Sequence, residues 1–308
     1  MRLGFALPQI GSVIGPETLM KVAKRAEDLG FDSVWVLDRL LYPVNPRVPY
    51  PGTADGSLPV QYKSRLDPLG TLMFAAALTR HVALGTSILN LPWYNPVLLE
   101  RQLTTLDVLS GGRLRVGFGI GWSPDEYEAA GTPWQERGER ADEFLQVLKA
   151  IWTTNPVEFQ GKYYRIPKSF IDSKPIQKPH PPIYMAAYTP SAMKRVAREA
   201  DGWFPVGIPI GNLAQMFEGI KGMVREAGRD PSALELIVRA NIEFSDRPLD
   251  KARSNFTGTL EQIAEDILAT RSVGAAELLL DVQFSPDVKT GEDLVARMEQ
   301  LWQAARRS

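Results

Sequence analysis

Short apolar runs alternate along the chain with longer stretches in which apolar residues recur every three or four positions. Leu3–Pro8, Ser33–Leu37, Val82–Leu89, Leu114–Phe118, Ile183–Ala187, Gly202–Val206, Leu234–Ala240 and Glu277–Val282 read as strands. The intervening periodicity predicts helices over Glu17–Leu29, Pro96–Leu109, Arg137–Trp152, Ser191–Ala200, Leu213–Ala227, Leu260–Val273 and Gly291–Ala305. In the first helix Leu19, Val22, Ala23, Ala26 and Leu29 share one face, Pro16 opens it and Gly30 closes it. Strands alternating with helices predict a parallel α/β sheet, and eight strands predict closure into a (β/α)8 TIM barrel. An open doubly wound sheet is the alternative, but it rarely carries eight units this regular.

Two stretches interrupt the alternation and read as insertions, one after strand 2 and one before strand 5. The first, about 40–66, holds Pro43, Pro46, Pro49, Pro51 and Pro59; the second, about 154–182, contains Phe159–Ile166, read as a small hairpin. Long irregular segments of this kind are usually lids or mobile loops. With them set aside, the 308 residues reduce to the roughly 250 of a bare barrel, so one domain spanning 1–308 is expected.

Composition narrows the chemistry. Lys plus Arg is 35, Asp plus Glu is 36 and the net charge is −1, which predicts no broad attraction to nucleic acid or to an acidic membrane. With no cysteine, disulfides, thiol nucleophiles and thiolate metal sites are excluded, and a cytoplasmic location is expected. The first residues resemble no signal peptide, and no apolar run reaches the roughly 18 residues of a membrane helix. The two histidines, His81 and His180, precede strands three and five and belong to the stability face of a barrel, so a histidine base, a Ser-His-Asp triad or a multi-histidine metal site is not expected. No carboxylate cluster argues for magnesium, and no metal is expected.

In such a barrel the active site lies at the carboxyl ends of the strands. The candidates there are Pro8-Gln9, Asp38-Arg39, Ser87-Ile88-Leu89-Asn90, Gly119-Ile120-Gly121-Trp122, Ala186-Ala187-Tyr188-Thr189, Pro205-Val206-Gly207, Asn241-Ile242 and Asp281-Val282-Gln283. Asp38 ends an apolar strand and requires a partner, a structural salt bridge being the plain alternative; Arg39 points to the other side if the strand continues. Gly117-Phe118-Gly119-Ile120-Gly121-Trp122 is not the dinucleotide fingerprint, because its sixth position is Trp122. It reads as a strand end whose backbone approaches something large and flat, or as a plain turn. Glu126 is a second carboxylate that could carry a proton, with a surface-capping role near Pro124 as the favoured reading. Tyr42, Tyr50, Trp93 and Trp122 suggest an aromatic pocket for an uncharged or aromatic molecule under the 40–66 lid.

The chain resembles the bacterial-luciferase-like oxidoreductases, specifically their coenzyme F420-dependent branch. The resemblance rests on Ala26-Glu27-Asp28-Leu29-Gly30-Phe31-Asp32-Ser33-Val34-Trp35, Val82-Ala83-Leu84-Gly85-Thr86-Ser87, Leu109-Ser110-Gly111-Gly112-Arg113-Leu114, the Val116–Trp122 segment, Phe159-Gln160-Gly161-Lys162-Tyr163-Tyr164 and Ala200-Asp201-Gly202-Trp203 in this order and spacing. It implies a barrel binding a flavin or deazaflavin at the strand ends and an enzyme passing a hydride between coenzyme F420 and a small organic substrate. Asp38 then matches the family aspartate near the cofactor ring. Ser87-Ile88 matches a non-prolyl cis peptide whose bulge presses on that ring, and Asn90 a nearby polar contact. Gly121 and Trp122 match a wall beside the ring, and Ala186-Ala187-Tyr188-Thr189 a phosphate-binding turn. Asp38, Arg39 and Trp122 are the catalytic candidates. Many relatives have histidine where Arg39 stands, and sugar-phosphate-oxidising relatives have glutamate where Trp122 stands. The resemblance leaves two rivals: a two-component monooxygenase using reduced FMN and oxygen, and a non-catalytic flavin-binding protein. It also implies a homodimer and a separate reductase or dehydrogenase that recycles the cofactor.

Overall fold

The computed structural model describes residues 1–307. The barrel staves are β1 (Arg2–Ala6), β2 (Ser33–Val36), β3 (Ala83–Thr86) with its short continuation β4 (Leu89–Asn90), and β5 (Leu114–Gly119). A hairpin of β6 (Val157–Gln160) and β7 (Arg165–Ser169) follows, then the staves β8 (Ile183–Met185), β9 (Gly202–Trp203) and β10 (Glu235–Asn241). The strands β11 (Glu243–Phe244) and β12 (Thr257–Gly258) form a separate pair, and β13 (Glu277–Asp281) is the last stave. Their order is β3-β2-β1-β13-β10-β9-β8-β5-β4, all parallel, and pairing of β3 with β5 closes the ring into an eight-stave barrel.

Helices surround it: α1 (Pro16–Leu29), α2 (Pro68–Leu78), α3 (Pro96–Ser110), α4 (Pro124–Ala129), α5 (Arg137–Thr153), α6 (Pro190–Glu199), α7 (Ile210–Glu226), α8 (Leu260–Ser272) and α9 (Gly291–Arg307). Among the described residues no helix is long and apolar enough to cross a membrane. The ends expected for α1 are observed: Pro16 stands at its start, and Gly30 adopts φ +87° and donates its N–H to Ala26 O. Periodicity does not reveal α2. Its buried side chains, Leu69, Thr71, Leu72, Ala75 and Ala76, with further apolar residues between them, leave no polar face for a 3.6-residue rhythm to mark. Its start is legible locally, since Asp67 Oδ1 accepts the Gly70 N–H at 2.6 Å ahead of Pro68.

The barrel interior is plugged by Ala6, Trp35, Tyr184, Phe204, Ile237 and Leu279. Trp35 fits because Gly85 faces it; a Cβ there would lie 2.1 Å from the indole. The two insertions diverge. Segment 154–182 contains the expected hairpin, somewhat longer than Phe159–Ile166, and buries Val157 and Ile166 against Val147 and Ile151 of α5 on the flank. Segment 40–66 instead covers the carboxyl end of the strands, where Leu58 and Tyr62 pack with Ile10 and Leu37 in a core of their own.

Candidate active site

A cavity of about 640 Å³ opens at the carboxyl ends of the strands, within the size range of small-molecule sites. Leu37, Asp38 and Arg39 enter it after β2, Ser87, Ile88 and Asn90 from the β3–β4 break, and Gly119 to Trp122 at the end of β5. Ala186 and Tyr188 follow β8, Phe204 and Val206 follow β9, and Arg239 and Asn241 stand near the end of β10. The 40–66 segment contributes Tyr50, Pro51, Gly52 and Tyr62 as a roof. Another groove, of about 440 Å³, lies on the outer face of α3, lined mainly by apolar side chains such as Val97, Leu98, Val108 and Leu109.

Asp38 is buried, and its Oδ2 accepts the Asn90 N–H at 3.1 Å and the Tyr94 hydroxyl at 3.0 Å. Both partners are neutral, so the salt-bridged alternative does not describe it. Burial pushes its carboxyl up to about 7, the two hydrogen bonds pull against that shift, and the negative charges of Glu126 and Asp67 add to it. Both hydrogen bonds fall on Oδ2, which leaves Oδ1 for whatever enters.

Arg39 does not point away from Asp38. The strand ends at Val36, alternation lapses, and both side chains line the same cavity. The Arg39 guanidinium meets Glu126 at 2.6 Å, with side-chain exposures of 8% and 0%. Glu126 is therefore no surface residue. It sits on α4, too short for periodicity to show, whose start Ser123 caps, and its Oε1 accepts the Leu40 N–H at 2.9 Å. Burial raises the Glu126 carboxyl against the pull of Arg39, whereas for Arg39 burial is outweighed by Glu126 and the guanidinium rises. The 2.6 Å separation is that of a short, charge-assisted hydrogen bond. The rings of Tyr62, Trp122 and Tyr50 surround the guanidinium at 4.6, 5.2 and 5.9 Å.

The Ser87–Ile88 peptide is cis, as the resemblance implies. Ser87 donates its N–H to Val36 O at 2.6 Å, while Arg239 donates to the Ser87 carbonyl at 2.7 Å and to its hydroxyl at 2.9 Å. Arg239 also binds Asn241 Oδ1 at 3.0 Å and pairs with Asp281. Asp281 accepts from Gln283, whose Oε1 accepts the Gln9 N–H at 2.9 Å, and Gln9 in turn bonds the backbone of Leu37. This polar belt ties five strand ends together; sequence reasoning named Gln9, Asn241, Asp281 and Gln283 as strand-end residues but missed Arg239, which joins them. The available signal was an arginine inside the apolar run Leu234–Ala240. The glycine motif is also corrected in part. A Cβ on Gly117 would lie 2.0 Å from Thr86 O and one on Gly119 2.3 Å from Ile88, so these glycines make room for the chain's own bulge.

The remaining candidates divide. Asp38, Arg39, Ser87, Ile88, Asn90, Gly121, Trp122, Ala186 and Tyr188 meet at the cavity. Ala187 and Thr189 do not line it: Ala187 is buried with its carbonyl taken by Trp203 Nε1 at 2.9 Å, and Thr189 caps α6 from an exposed position. Trp93 and Tyr50 line the cavity, whereas Tyr42 packs beside it with its hydroxyl on Leu58 O at 3.1 Å. His81 is exposed at the start of β3, and His180 lies against Trp152 with ring centroids 5.6 Å apart; neither lines the cavity.

The barrel and its strand-end groups match a known class of proteins. Residues 3–265 match the family model described as luciferase-like monooxygenase. The chain belongs to this family of oxidoreductases, whose members resembling it include both F420-dependent and FMN-dependent enzymes. It is 34% identical over 212 residues to an uncharacterised protein of Mycobacterium tuberculosis, covering 68% of this chain and 74% of that one. It is 36% identical over 151 residues to an FMNH2-dependent dimethylsulfone monooxygenase of Pseudomonas putida, covering 48% and 39%. With an F420-dependent glucose-6-phosphate dehydrogenase of Amycolatopsis mediterranei it shares 32% identity over 197 residues, covering 61% and 53%. Among solved structures, a monooxygenase from Streptomyces bottropensis superposes with TM-score 0.79 at 21% identity, covering 100% of this chain and 99% of that one. An F420-dependent secondary alcohol dehydrogenase superposes with TM-score 0.78 at 22% identity, covering 97% and 98%. At these identities the structures establish the barrel fold.

Proposed function

We propose that the chain is a deazaflavin-dependent oxidoreductase in which coenzyme F420 and a small organic substrate share the cavity at the strand ends. The observation that carries the reading is the wall made by Ser87 and Ile88. Ile88 presents an apolar side chain to the cavity, and Arg239 holds the segment by its carbonyl and hydroxyl. Ile120 and Phe204 extend the apolar surface, while polar groups gather at two corners, Asp38 with Asn90 and Arg239 with Asn241. An apolar wall with polar corners fits a flat ring system whose edges carry donors and acceptors. Bound there, the coenzyme supplies hydride transfer at its C5.

The chain's own residues supply geometry and proton handling. Asp38 carries or releases a proton at Oδ1 near neutral pH. Arg39, charged and paired, cannot act as a base and serves to orient a polar atom of the substrate. Ala186, Ala187, Tyr188 and Thr189 precede α6, whose amino end favours the anionic tail of the coenzyme. A separate dehydrogenase would return the coenzyme to its starting redox state.

The F420-dependent relative supports this reading, and the FMNH2-dependent relative supports the second one, a monooxygenase fed with reduced FMN. Titration of the purified protein with F420 and FMN, each oxidised and reduced, tests the choice by fluorescence and calorimetry. Micromolar F420 binding with FMN at least tenfold weaker is expected. The reverse preference, with oxygen uptake on adding reduced FMN, would replace this reading with the monooxygenase.

A further inference from the structure

We infer that the part of the cavity under the 40–66 segment takes an uncharged organic molecule presenting one hydrogen-bond-accepting oxygen, and that Arg39 and Trp122 select it. The inference rests on reading the cavity as the coenzyme and substrate site, and it adds the substrate class.

Charge is the first argument. Two guanidinium groups line the cavity, and each already has its own buried carboxylate, Glu126 for Arg39 and Asp281 for Arg239. No positive charge is left over for an anionic substrate. Desolvating a carboxylate or phosphate without a counter-charge is costly, and Asp38 would add repulsion as it ionises.

The second argument is unmet hydrogen bonding. Among the described residues, five buried side-chain nitrogens lack a partner: Nε of Arg39, Arg137 and Arg140, and Nε1 of Trp93 and Trp122. Three of them, on Arg39, Trp93 and Trp122, belong to residues lining this one cavity. A buried donor left unmade costs about 1–3 kcal/mol, so a ligand that brings an acceptor is favoured by that difference. Arg39 and Trp122 belong to one cage, the guanidinium carbon lying 5.2 Å from the Trp122 ring, and the Arg39 side chain is only 8% exposed. Both nitrogens are closed off from solvent as the structure stands, so an oxygen reaches them only when the rings that cover them move.

The third argument is the surrounding surface. Leu37, Tyr50, Pro51 and Tyr62 complete this end of the cavity, and the Tyr50 and Tyr62 hydroxyls lie 3.2 Å apart. Such walls suit an aromatic or alkyl body rather than a polyhydroxylated one. The two tyrosines cover the Arg39 cage, so entry of the molecule requires their side chains to part.

Three probes of similar shape test this: acetophenone, which is neutral with an acceptor; ethylbenzene, which is neutral without one; and benzoate, which is anionic. Their dissociation constants are measured by calorimetry on the full chain, once alone and once saturated with whichever coenzyme it binds. Acetophenone is expected to bind at least tenfold more tightly than either of the others. In the double variant Arg39→Met with Glu126→Gln, which removes both charges together, the advantage over ethylbenzene is expected to fall below threefold while ethylbenzene binds within twofold of wild type. If that variant does not fold, Trp122→Phe decides, with an expected threefold loss for acetophenone alone. Tightest binding of benzoate, equal binding of all three, binding of none, or an acetophenone advantage that survives the substitutions would each overturn the inference. Failure of F420 to bind while the probe ranking holds would instead reject the coenzyme reading and leave this one standing.

Discussion

At the amino ends of the strands, Glu277 is fully buried yet paired with Arg2 at 3.0 Å and with Arg115, while Ser33 and Trp35 also donate to it. At the carboxyl ends, on the far side of the Trp35 plug, Asp38 is buried with two neutral partners and no cation, and three nitrogens nearby have no acceptor. One barrel thus buries acids at both ends, and at the carboxyl end Glu126 and Asp281 have their arginines while Asp38 has none. A paired and hydrogen-bonded carboxylate is a structural device. A carboxylate pushed up to about 7 beside unmade donors is a group held ready for a ligand. The contrast favours the carboxyl end as the seat of the proposed chemistry independently of any relative.

The largest effect is expected at the amino end. Glu277→Ala leaves Arg2 and Arg115 without their shared partner and empties a fully buried site, so the protein should lose about 3 kcal/mol of stability. Urea unfolding measures this directly. Coenzyme affinity of the remaining folded protein should stay within twofold. A loss below about 1 kcal/mol would break the contrast, because the amino end would then be no better compensated than the other.

At the carboxyl end the outcome should invert. Asp38→Ala should lower turnover at least tenfold, equivalent to about 1.4 kcal/mol of transition-state stabilisation, without unfolding the protein. Asp38→Asn reads the stability side. The folded carboxyl titrates near 7 against 3.8 in the unfolded chain, so between those values the folded state holds the extra proton. Wild-type stability therefore contains an Asp38 contribution that is fully present below about 4, declines as pH rises and is lost through about 7. The asparagine variant lacks this decline and should gain on wild type across that window. Parallel stability curves would remove Asp38 from the site.

How much of this was legible in the sequence follows from the range of each interaction. The staves and most helices announce themselves through local periodicity, and the end of β2 at Asp38-Arg39 could be named because it follows an apolar run. The partner of Arg39 could not, since Glu126 lies 87 residues away on a single-turn-scale helix. Nor could the Arg239 clamp on Ser87, 152 residues apart, because pairing across a barrel is set by strand order rather than by spacing along the chain. The Ser87–Ile88 feature was reached through family resemblance, not through periodicity, which read Val82–Leu89 as one unbroken strand. The residue-level reading of the glycines fared less well, since Gly117 and Gly119 face the chain's own bulge.

A smaller perturbation sharpens the comparison further. The Tyr94 hydroxyl is one of two groups that hydrogen-bond Asp38 and favour its charged form, the other being a backbone N–H that substitution cannot remove. Tyr94→Phe keeps the ring, and with it the packing, but withdraws that hydrogen bond. The midpoint of the Asp38 titration should move upward by a fraction of a unit, so the stability lost near 7 in the wild type should be lost at a slightly higher pH. The change is read as the pH-dependent difference in unfolding free energy between Tyr94→Phe and a Tyr94→Phe, Asp38→Asn double variant. An upward shift with nearly unchanged melting at pH 5, where the carboxyl is protonated in the folded state, would show that the neighbours of Asp38 tune its proton rather than hold the fold together. A fixed midpoint with a general loss of stability would make Tyr94 another structural partner, and the carboxyl end would then resemble the amino end more closely than its unmet donors suggest.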